Sequence, residues 1–426
     1  MALKHQAPRG TRDLLPDELL RWHWVEDRAR GVCDRYGYGE IRTPIFEDYD
    51  LFARTSGEAS EVVKKEMYRF TDLGERALAL RPEGTASVAR AYLEHGLGGQ
   101  SRIHRLWYMG PMFRYGRPQK GRYRQFYQVG AEIIGSAAAG ADVEIIALFV
   151  DLFEAWGFSG LTVALNSLGT PESRRAYGEQ LRHWLHPVAS ALSGDSQQRL
   201  AANPLRVLDT KDPGDLKLFE NLAAGGASMP RMLDGLDVES LRHWERVLAG
   251  LAPLGIAHEI DHGLVRGLDY YSRTAFEVHD RSLGAQSALG GGGRYDGLIE
   301  ALGGPATPGV GFSIGLDRVV LLLEERRGGI AHPVGTAYVA AMDGTRGDAE
   351  KLTRELRREF RVDCDLEARA IGAQLKQADK SGARVVVLLG EEEWKRGEVL
   401  VKDLKSGEQR TIARDQLGEE LKRRLA

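Results

Sequence analysis

Leu80-Arg81-Pro82-Glu83-Gly84-Thr85 opens the stretch of sequence that decides the fold. A helical pattern follows to about His95, and then two strand-like segments flank the loop Tyr115-Gly116-Arg117-Pro118-Gln119-Lys120-Gly121. The first segment, residues 103–114, is rich in the apolar and aromatic residues that pleated sheets favour. The stretch therefore predicts a helix that leads into an antiparallel hairpin.

The second segment, residues 124–134, should alternate its side chains between the two faces of a sheet. One face is apolar enough to join a core and carries Gln125, Tyr127, Val129, Ala131 and Ile133. The other face places Gln128 and Glu132 roughly 13 Å apart, at about 3.3 Å per residue, with the gap of Gly130 between them. This spacing suits a small polar ligand, although an ordinary solvated sheet face explains it equally well.

Charge is unevenly distributed along this stretch. The whole chain carries 58 basic and 61 acidic residues, yet residues 95–131 contain no Asp or Glu. The same window contains seven basic residues, which are Arg102, Arg105, Arg114, Arg117, Lys120, Arg122 and Arg124. Such a window indicates an anionic partner, such as nucleotide phosphates or an RNA backbone.

The whole chain sets broader bounds. Its 426 residues, 42% of them hydrophobic, are enough for two or three domains. Cys33 and Cys364 are far apart and lack a metal-ligand spacing, which fits a reducing compartment. No signal-peptide pattern is visible, and the longest apolar runs are too short to cross a bilayer. We therefore expect a soluble, cytoplasmic protein.

Three later segments also carry candidate chemistry. In residues 263–277, Arg266 is bracketed by apolar residues and glycine, so it should be partly buried and needs an anion, either Asp269, Glu277 or a ligand. Residues 290–293 are four glycines, which form either a flexible loop or a close approach to a ligand or strand. In residues 309–323 a strand turns into a buried helix, where Arg318 is misplaced at the helix N-terminus unless an external anion, an aromatic ring or Asp317 compensates it.

These segments together resemble a known family. Arg81-Pro82-Glu83-Gly84-Thr85, the strand end Met112-Phe113-Arg114 and the return strand Arg122-Tyr123-Arg124-Gln125-Phe126 resemble motif 2 of the class II aminoacyl-tRNA synthetases. A predicted helix at 17–36 followed by a strand at 40–46 resembles motif 1, and residues 309–323 resemble motif 3. The peptide around Arg266 is similar to the signature of the histidyl-tRNA synthetases, which are the closest match within the class.

The resemblance implies an α+β class II catalytic core, an antiparallel sheet flanked by helices. It implies a helical insertion and a C-terminal α/β anticodon-binding domain, for which the strand and helix pattern after residue 333 indicates a mainly parallel sheet. The expected boundaries are 1–170 and 258–328 for the two parts of the core, 171–257 for the insertion and 333–426 for the C-terminal domain.

The resemblance also implies roles for individual residues. Arg114 and Arg266 would be catalytic, holding the α-phosphate and the attacking carboxylate. ATP would be bound by Arg114, Arg122, Phe126 and Arg318. Histidine would be bound by Glu83, Thr85, Gln128, Glu132, Arg266, Tyr270 and Tyr271. Glu83 and Thr85 would contact its ammonium, and Gln128 its carboxylate. Glu132, Tyr270 and Tyr271 would contact its imidazole. No residue is assigned as a metal ligand, and Mg²⁺ is expected with ATP.

The implied activity is that of a ligase that activates L-histidine with ATP and transfers it to the 3' end of tRNA(His). The implied assembly is a homodimer through motif 1, without a membrane partner. Two alternatives remain open, a non-catalytic synthetase-like regulatory subunit of ATP phosphoribosyltransferase and an RNA-binding module. The first typically lacks the C-terminal domain and degrades the Arg266 peptide, both of which this sequence retains. The second would not need Glu83, Gln128 and Glu132 together.

Overall fold

The computed structural model describes residues 5–57, 60, 62–265, 270–279, 288–327 and 336–425. The chain divides into two compact units, Met1–Gly329 and Ile330–Ala426. The helices of the first unit are α1 (Pro16–Arg35), α2 (Tyr49–Ser56), α3 (Thr85–Glu94), α4 (Ala139–Ala155), α5 (Pro171–Leu185), α6 (Gly194–Ala202), α7 (Pro213–Ala224), α8 (Val238–Leu251), α9 (Leu298–Ala301) and α10 (Leu316–Arg327). Its strands are β1 (Gly39–Glu40), β2 (Phe46–Asp48), β3 (Arg69–Thr71), β4 (Ala77–Leu80), β5 (His104–Phe113), β6 (Gln125–Ile134), β7 (Thr162–Ser167), β8 (His258–Ile260), β9 (Ser272–His279), β10 (Ala288–Arg294) and β11 (Gly309–Gly315).

An eight-stranded sheet in the order β1-β5-β6-β11-β10-β9-β7-β8 forms the centre of this unit. The pairings of β1 with β5 and of β7 with β8 are parallel, and the other pairings are antiparallel. β5 and β6 form the predicted hairpin, from His104 opposite Ile134 to Phe113 opposite Gln125. The predicted antiparallel core is therefore confirmed.

Helices α1, α4 and α10 cover one face of this sheet because each has a strongly apolar stripe. The core between them contains the predicted apolar face of β6, with Val129, Ala131 and Ile133 buried. Phe149 of α4 packs edge-to-face against Phe276 and Phe312 from two strands. On the opposite face of the hairpin, Tyr108 and Met112 join a smaller hydrophobic cluster with Val88 and Tyr92 of α3, and the polar residues of β6 lie on this side.

The strand predicted at residues 40–46 is wrong. It is divided into β1, which joins the large sheet, and β2, which joins a separate three-stranded sheet in the order β2-β4-β3. Pro44 lies between the two short strands. Because proline has no backbone N–H, it cannot donate a hydrogen bond to a neighbouring strand, which favours a break at this position. Arg81 ties the connecting residues down through a hydrogen bond of 3.0 Å to the carbonyl of Thr43.

Between β7 and β8 the chain leaves the sheet and forms the helices α5 to α8. Tyr177, Leu181, Leu185, Val207 and Met232 form a small hydrophobic core of this segment. A buried carboxylate, Asp215, accepts hydrogen bonds from Ser193, Ser196 and Thr210 and so holds α6 and α7 together. The boundaries 171–257 stay a prediction.

The second unit contains a five-stranded sheet in the order β13-β12-β14-β15-β16. Its strands are β12 (Thr336–Ala341), β13 (Val362–Cys364), β14 (Ala383–Leu389), β15 (Glu398–Asp403) and β16 (Gln409–Ala413), and its helices are α11 (Arg346–Leu356), α12 (Ile371–Lys380), α13 (Glu391–Lys395) and α14 (Leu417–Leu425). β12 is parallel to β13 and β14, whereas β14-β15 and β15-β16 are antiparallel. The sheet is thus mixed, and not mainly parallel as expected, because β15 and the hairpin β15-β16 add two antiparallel pairings to it. The short strand β13, which the sequence pattern does not indicate, adds a parallel pairing at the other edge.

No helix within the described ranges is long and apolar enough to cross a membrane.

Candidate active site

The site is built on the face of the hairpin β5-β6 that is turned away from α1, α4 and α10. Glu83 lies just before α3, and its two carboxylate oxygens accept hydrogen bonds from the backbone N–H groups of Thr85, at 2.6 Å, and Ala86, at 3.0 Å. A carboxylate at the N-terminus of a helix is stabilised by these donors and by the helix dipole. Burial nevertheless raises the pKa of Glu83, so a cation placed beside it would be bound favourably.

Glu132 lies further along β6 and is completely buried. Its Oε1 accepts a hydrogen bond of 2.8 Å from the Thr85 hydroxyl, and its Oε2 accepts one of 2.6 Å from the Tyr295 hydroxyl. Burial raises the pKa of Glu132 to about 8, even though both of these hydrogen bonds lower it and the Glu83 charge raises it further. The predicted polar face therefore forms a buried acidic pocket, not a solvated sheet surface.

Tyr295 was not assigned a role from the sequence. It follows the last residue of β10 and reaches Glu132 across 163 positions of the chain. Arg294, the residue before it, is fully buried and bonds to Asp142 (Nε to Oδ1, 3.1 Å) and to the carbonyl of Ser136 (2.8 Å). These contacts hold the end of β10 in place and thereby position the Tyr295 hydroxyl.

Glycines allow the pocket to close around its carboxylate. A Cβ at Gly311 of β11 would lie 1.7 Å from Glu132 Oε2, and one at Gly130 would lie 2.3 Å from the Tyr108 ring. The glycines of β10 are also required by close packing, because a Cβ at Gly292 would lie 2.0 Å from the carbonyl oxygen of Gly311. These residues therefore form a strand that lies close against its neighbours, and not a flexible loop.

Gln128 lies between the acidic pocket and the end of the hairpin and is almost fully buried. Its Nε2 donates to Ser313 Oγ at 3.5 Å, whereas its Oε1 has no hydrogen-bond partner among the described residues. A buried acceptor without a partner is costly, and a ligand N–H would satisfy it. In this orientation the amide suits the ammonium group of an amino acid; the expected contact with the carboxylate requires the amide to turn over.

Arg114 follows β5 and points into the same region. Its Nε donates to the Pro82 carbonyl at 2.8 Å, and its guanidinium carbon lies 5.5 Å from the centre of the Phe126 ring. Burial lowers the pKa of Arg114, although the negative charges of Glu66 and Glu83 raise it. Arg122, whose side chain is 59% exposed, pairs with Glu66 at 3.5 Å. A buried and an exposed guanidinium thus lie near the same end of the hairpin, Arg114 directly after β5 and Arg122 shortly before β6.

Two tyrosines border the pocket from the start of β9. The Tyr270 ring is 4.7 Å from the Tyr271 ring and 6.0 Å from the Tyr295 ring, measured between centroids. Burial raises the pKa of Tyr270 well above its ordinary value, so its hydroxyl stays protonated. Arg266 and Asp269 lie outside the described residues, and the partner of Arg266 stays open.

Motif 3 supplies the last predicted residues. Asp317 is buried at the start of α10, and its Oδ2 accepts a hydrogen bond of 2.8 Å from the backbone N–H of Tyr127. Arg318 follows it and is half-buried. The structure therefore brings Glu83, Thr85, Gln128 and Glu132 together in one pocket, with Arg114 and the tyrosines at its border and Arg318 on the neighbouring helix.

A mainly antiparallel sheet with two buried carboxylates and a buried arginine at one hairpin is the arrangement expected of a class II aminoacyl-tRNA synthetase. Comparisons with known proteins narrow this class. The family model described as histidyl-tRNA synthetase matches residues 10–319, and the one described as anticodon binding domain matches residues 333–424. The chain belongs to the histidyl-tRNA synthetases, a family of ligases that form aminoacyl-tRNA.

Individual relatives agree with this assignment. The chain is 49% identical over 418 residues to "Histidine--tRNA ligase" of Thermosynechococcus vestitus, covering 97% of this chain and 95% of the relative. It is 47% identical over 411 residues to the "Histidine--tRNA ligase" of Desulforamulus reducens, covering 95% and 96%. The crystal structure of apo S. aureus histidyl-tRNA synthetase is similar with a TM-score of 0.80 at 37% identity, covering 98% of this chain and 100% of that one. These matches favour the synthetase over the regulatory subunit.

Proposed function

We propose that this chain activates L-histidine with ATP to histidyl-adenylate and transfers the histidyl group to the 3' end of tRNA(His). The observation that carries the proposal is the pair of buried carboxylates, Glu83 before α3 and Glu132 on β6, which lie near the buried Arg114 at the end of β5. The curated relatives that match nearly the whole chain are named for the same activity.

The first step is an in-line displacement. An oxygen of the histidine carboxylate attacks the α-phosphorus of ATP, a new O–P bond forms, and pyrophosphate leaves with the electrons of the broken bond. No protein nucleophile is required, so the protein contributes positioning and positive charge. Arg114 would neutralise the α-phosphate from its buried position, and Arg266 would hold the attacking carboxylate against it.

Histidine selection follows from the acidic pocket. The substrate ammonium would lie beside Glu83, Thr85 and Gln128, which offer carboxylate, hydroxyl and amide oxygens. The imidazole would lie between Glu132 and the tyrosines, and we add Tyr295 to the residues expected there. A substrate without ring nitrogens would leave these buried groups unpaired, which is strongly unfavourable.

ATP would occupy the outer half of the hairpin. Phe126 offers a ring face for the adenine, with Arg318 on its other side, and the exposed Arg122 is free to turn from Glu66 to the outer phosphates. Mg²⁺ would enter with ATP and neutralise phosphate charge. Within the described residues no group of three His, Cys, Asp or Glu side chains could hold a metal, so the ion would take its ligands mainly from phosphate and water.

The tRNA substrate is supported by a basic cleft beside the active site. The cleft has a volume of about 740 Å³, and both Tyr271 and residues of the helical insertion line it. Its basic residues are Lys64, Lys65, Arg174, Arg175, Arg182, Arg199 and Arg206, against the two acidic residues Glu179 and Asp195. This excess of positive charge suits the phosphates of an RNA end that must reach the adenylate. The C-terminal unit would bind the anticodon.

A homodimer is supported by exposed apolar residues at the end of motif 1 and on the small sheet that this segment joins. Ile45, Phe46, Phe70 and Leu73 are exposed, and the rings of Phe46 and Phe70 stack edge-to-face at 6.2 Å on one sheet. Exposed apolar residues that cluster in this way mark interaction sites. We place the enzyme in the cytoplasm, where translation enzymes act.

Aminoacylation of tRNA(His) with labelled histidine tests the proposal. We expect charging that needs ATP and histidine, and histidine-dependent exchange of pyrophosphate into ATP. An RNA-binding module would bind tRNA without exchange, and a regulatory subunit would bind histidine without exchange. Either result would refute the proposed function.

A further inference from the structure

A short N-terminal segment, residues 8–13, lies against the return strand of the hairpin. The backbone N–H of Arg124 donates to the Gly10 carbonyl at 2.7 Å. Gly10 has a φ of +86°, and a Cβ there would lie 2.7 Å from two carbons of the Arg124 side chain. This close approach, which only glycine allows, indicates that the segment packs closely against the residues around Arg124.

Arg12 makes the side-chain contacts of this segment. Its guanidinium carbon lies 4.6 Å from the centre of the Tyr123 ring, in the geometry of a cation–π interaction. Its Nη2 is 3.4 Å from Asp317 Oδ1, and its Nη1 bonds to Glu18. The Arg12 side chain is 29% exposed, so it can be truncated without opening the core.

These contacts join the two elements that border the proposed ATP subsite. Tyr123 stands between Arg122 and Arg124 in the connection that leads into β6. Asp317 is the first-turn carboxylate of α10 that accepts the Tyr127 N–H, and it directly precedes Arg318. Arg12 therefore contacts both the connection that carries Arg122 and the helix α10, which carries Arg318.

We propose that Arg12 is a positioning residue for ATP, which it would not itself touch. It fixes the Tyr123 ring and the Asp317 carboxylate, and through them the spacing between the outer-phosphate and adenine contacts. Preorganised spacing lowers the cost of binding a ligand that must bridge both elements. This inference rests on the proposed function only for the identity of the nucleotide.

The experiment measures pyrophosphate exchange and, separately, equilibrium binding of a non-hydrolysable ATP analogue. Arg12→Ala should raise the KM for ATP roughly tenfold, and the analogue Kd in parallel, while the KM for histidine stays within about twofold. Tyr123→Leu should have the same effect, and the double variant should be no worse than the more impaired single variant. Arg12→Lys should recover part of the loss because lysine keeps the charge but not the planar group.

Arg21→Ala is the matched control. Arg21 lies on α1 and, like Arg12, contacts α10, where it forms an ion pair with Glu324. This ion pair does not involve the hairpin. We expect its ATP parameters to match the wild type. If Arg12 has a purely structural role, Arg12→Ala should lower the melting temperature and change the KM values for ATP and histidine alike. Either that result or an unchanged Kd of Arg12→Ala for the ATP analogue would overturn the proposal. Absence of exchange in the wild type with intact analogue binding would instead refute the proposed function.

Discussion

The Tyr295 hydroxyl donates a hydrogen bond of 2.6 Å to Oε2 of Glu132, a carboxylate that no solvent reaches. The other oxygen accepts from Thr85, so two side chains hold the carboxylate in one orientation. A carboxylate that is fixed in this way presents its remaining lone pairs in one direction only. Glu132 is therefore prepared to recognise a nitrogen heterocycle before the substrate arrives.

Glu132→Gln should lower kcat/KM for histidine in pyrophosphate exchange by about a hundredfold, because the amide keeps the shape but, unlike the carboxyl group, can neither ionise when the imidazole binds nor accept hydrogen bonds through both of its terminal atoms. Glu132→Ala should cripple exchange while the fold remains intact. Circular dichroism would verify the fold. Glu94→Gln, which changes an exposed carboxylate paired with Arg90, serves as control. Wild-type exchange in Glu132→Gln would count against the pocket.

The raised pKa of Glu132 predicts a pH dependence of stability. The folded protein keeps the proton up to about pH 8, whereas the unfolded chain releases it near 4.5. The contribution of Glu132 to the free energy of unfolding is thus complete below pH 4.5. It decreases by about 1.4 kcal/mol per pH unit as the pH rises from there to about 8. The melting temperature of the unliganded wild type minus that of Glu132→Gln should fall across this interval and level off above it. A difference that is constant or rises with pH would show that Glu132 is not protonated in the pocket.

Gly311→Ala should abolish histidine binding, because the new methyl group would occupy the position of Glu132 Oε2. Gly315→Ala lies on the same strand, where a Cβ would meet no atom within 4 Å, and should behave as the wild type. Isothermal titration with histidine compares the two variants. Equal affinity in both would mean that the strand is further from Glu132 than the structure has it.

Arg266→Ala should depress the rate of adenylate formation more than it weakens ATP binding. The reason is that its proposed contact with carboxylate and α-phosphate strengthens as charge develops in the transition state. Single-turnover kinetics with saturating ATP would separate rate from affinity. A loss of affinity alone would contradict the proposed role.

Phe46→Asp should convert the proposed homodimer to monomers, since a charge would enter a cluster of exposed apolar residues. Light scattering coupled to gel filtration measures the mass. Leu366→Asp, at an exposed apolar residue of the C-terminal unit, is the control and should leave the mass unchanged. A dimer that survives Phe46→Asp, Phe70→Asp and the double variant would place the interface elsewhere.

Local patterns were enough to predict much of this architecture. The hairpin β5-β6 follows from period-two alternation and a glycine-containing loop, and both strands lie within one residue of the expected ends. Alternation also placed Gln128 and Glu132 on one face, because the period of a strand leaves no other arrangement. Pro44 shows the limit of such patterns, since residues 40–46 are predicted as one strand that contains this proline but form two short strands in different sheets.

The long-range contacts of the site follow from no local pattern in the sequence. Tyr295 was visible as an aromatic residue after a glycine run, but nothing local connects it to Glu132. The bonds of Glu83 to the start of α3 could have been inferred from its place before a helix, whereas the depth of its burial depends on how the strands and helices pack. The contact of Arg12 with Tyr123 likewise exists only because the chain folds back on itself.

A crystal structure with histidine and a non-hydrolysable ATP analogue tests the central claim most directly. We predict that the imidazole lies within hydrogen-bond distance of Glu132, the ammonium lies beside Glu83, and the α-phosphate lies against Arg114. An amino acid whose ring points away from Glu132, or a nucleotide bound outside the hairpin, would contradict the account.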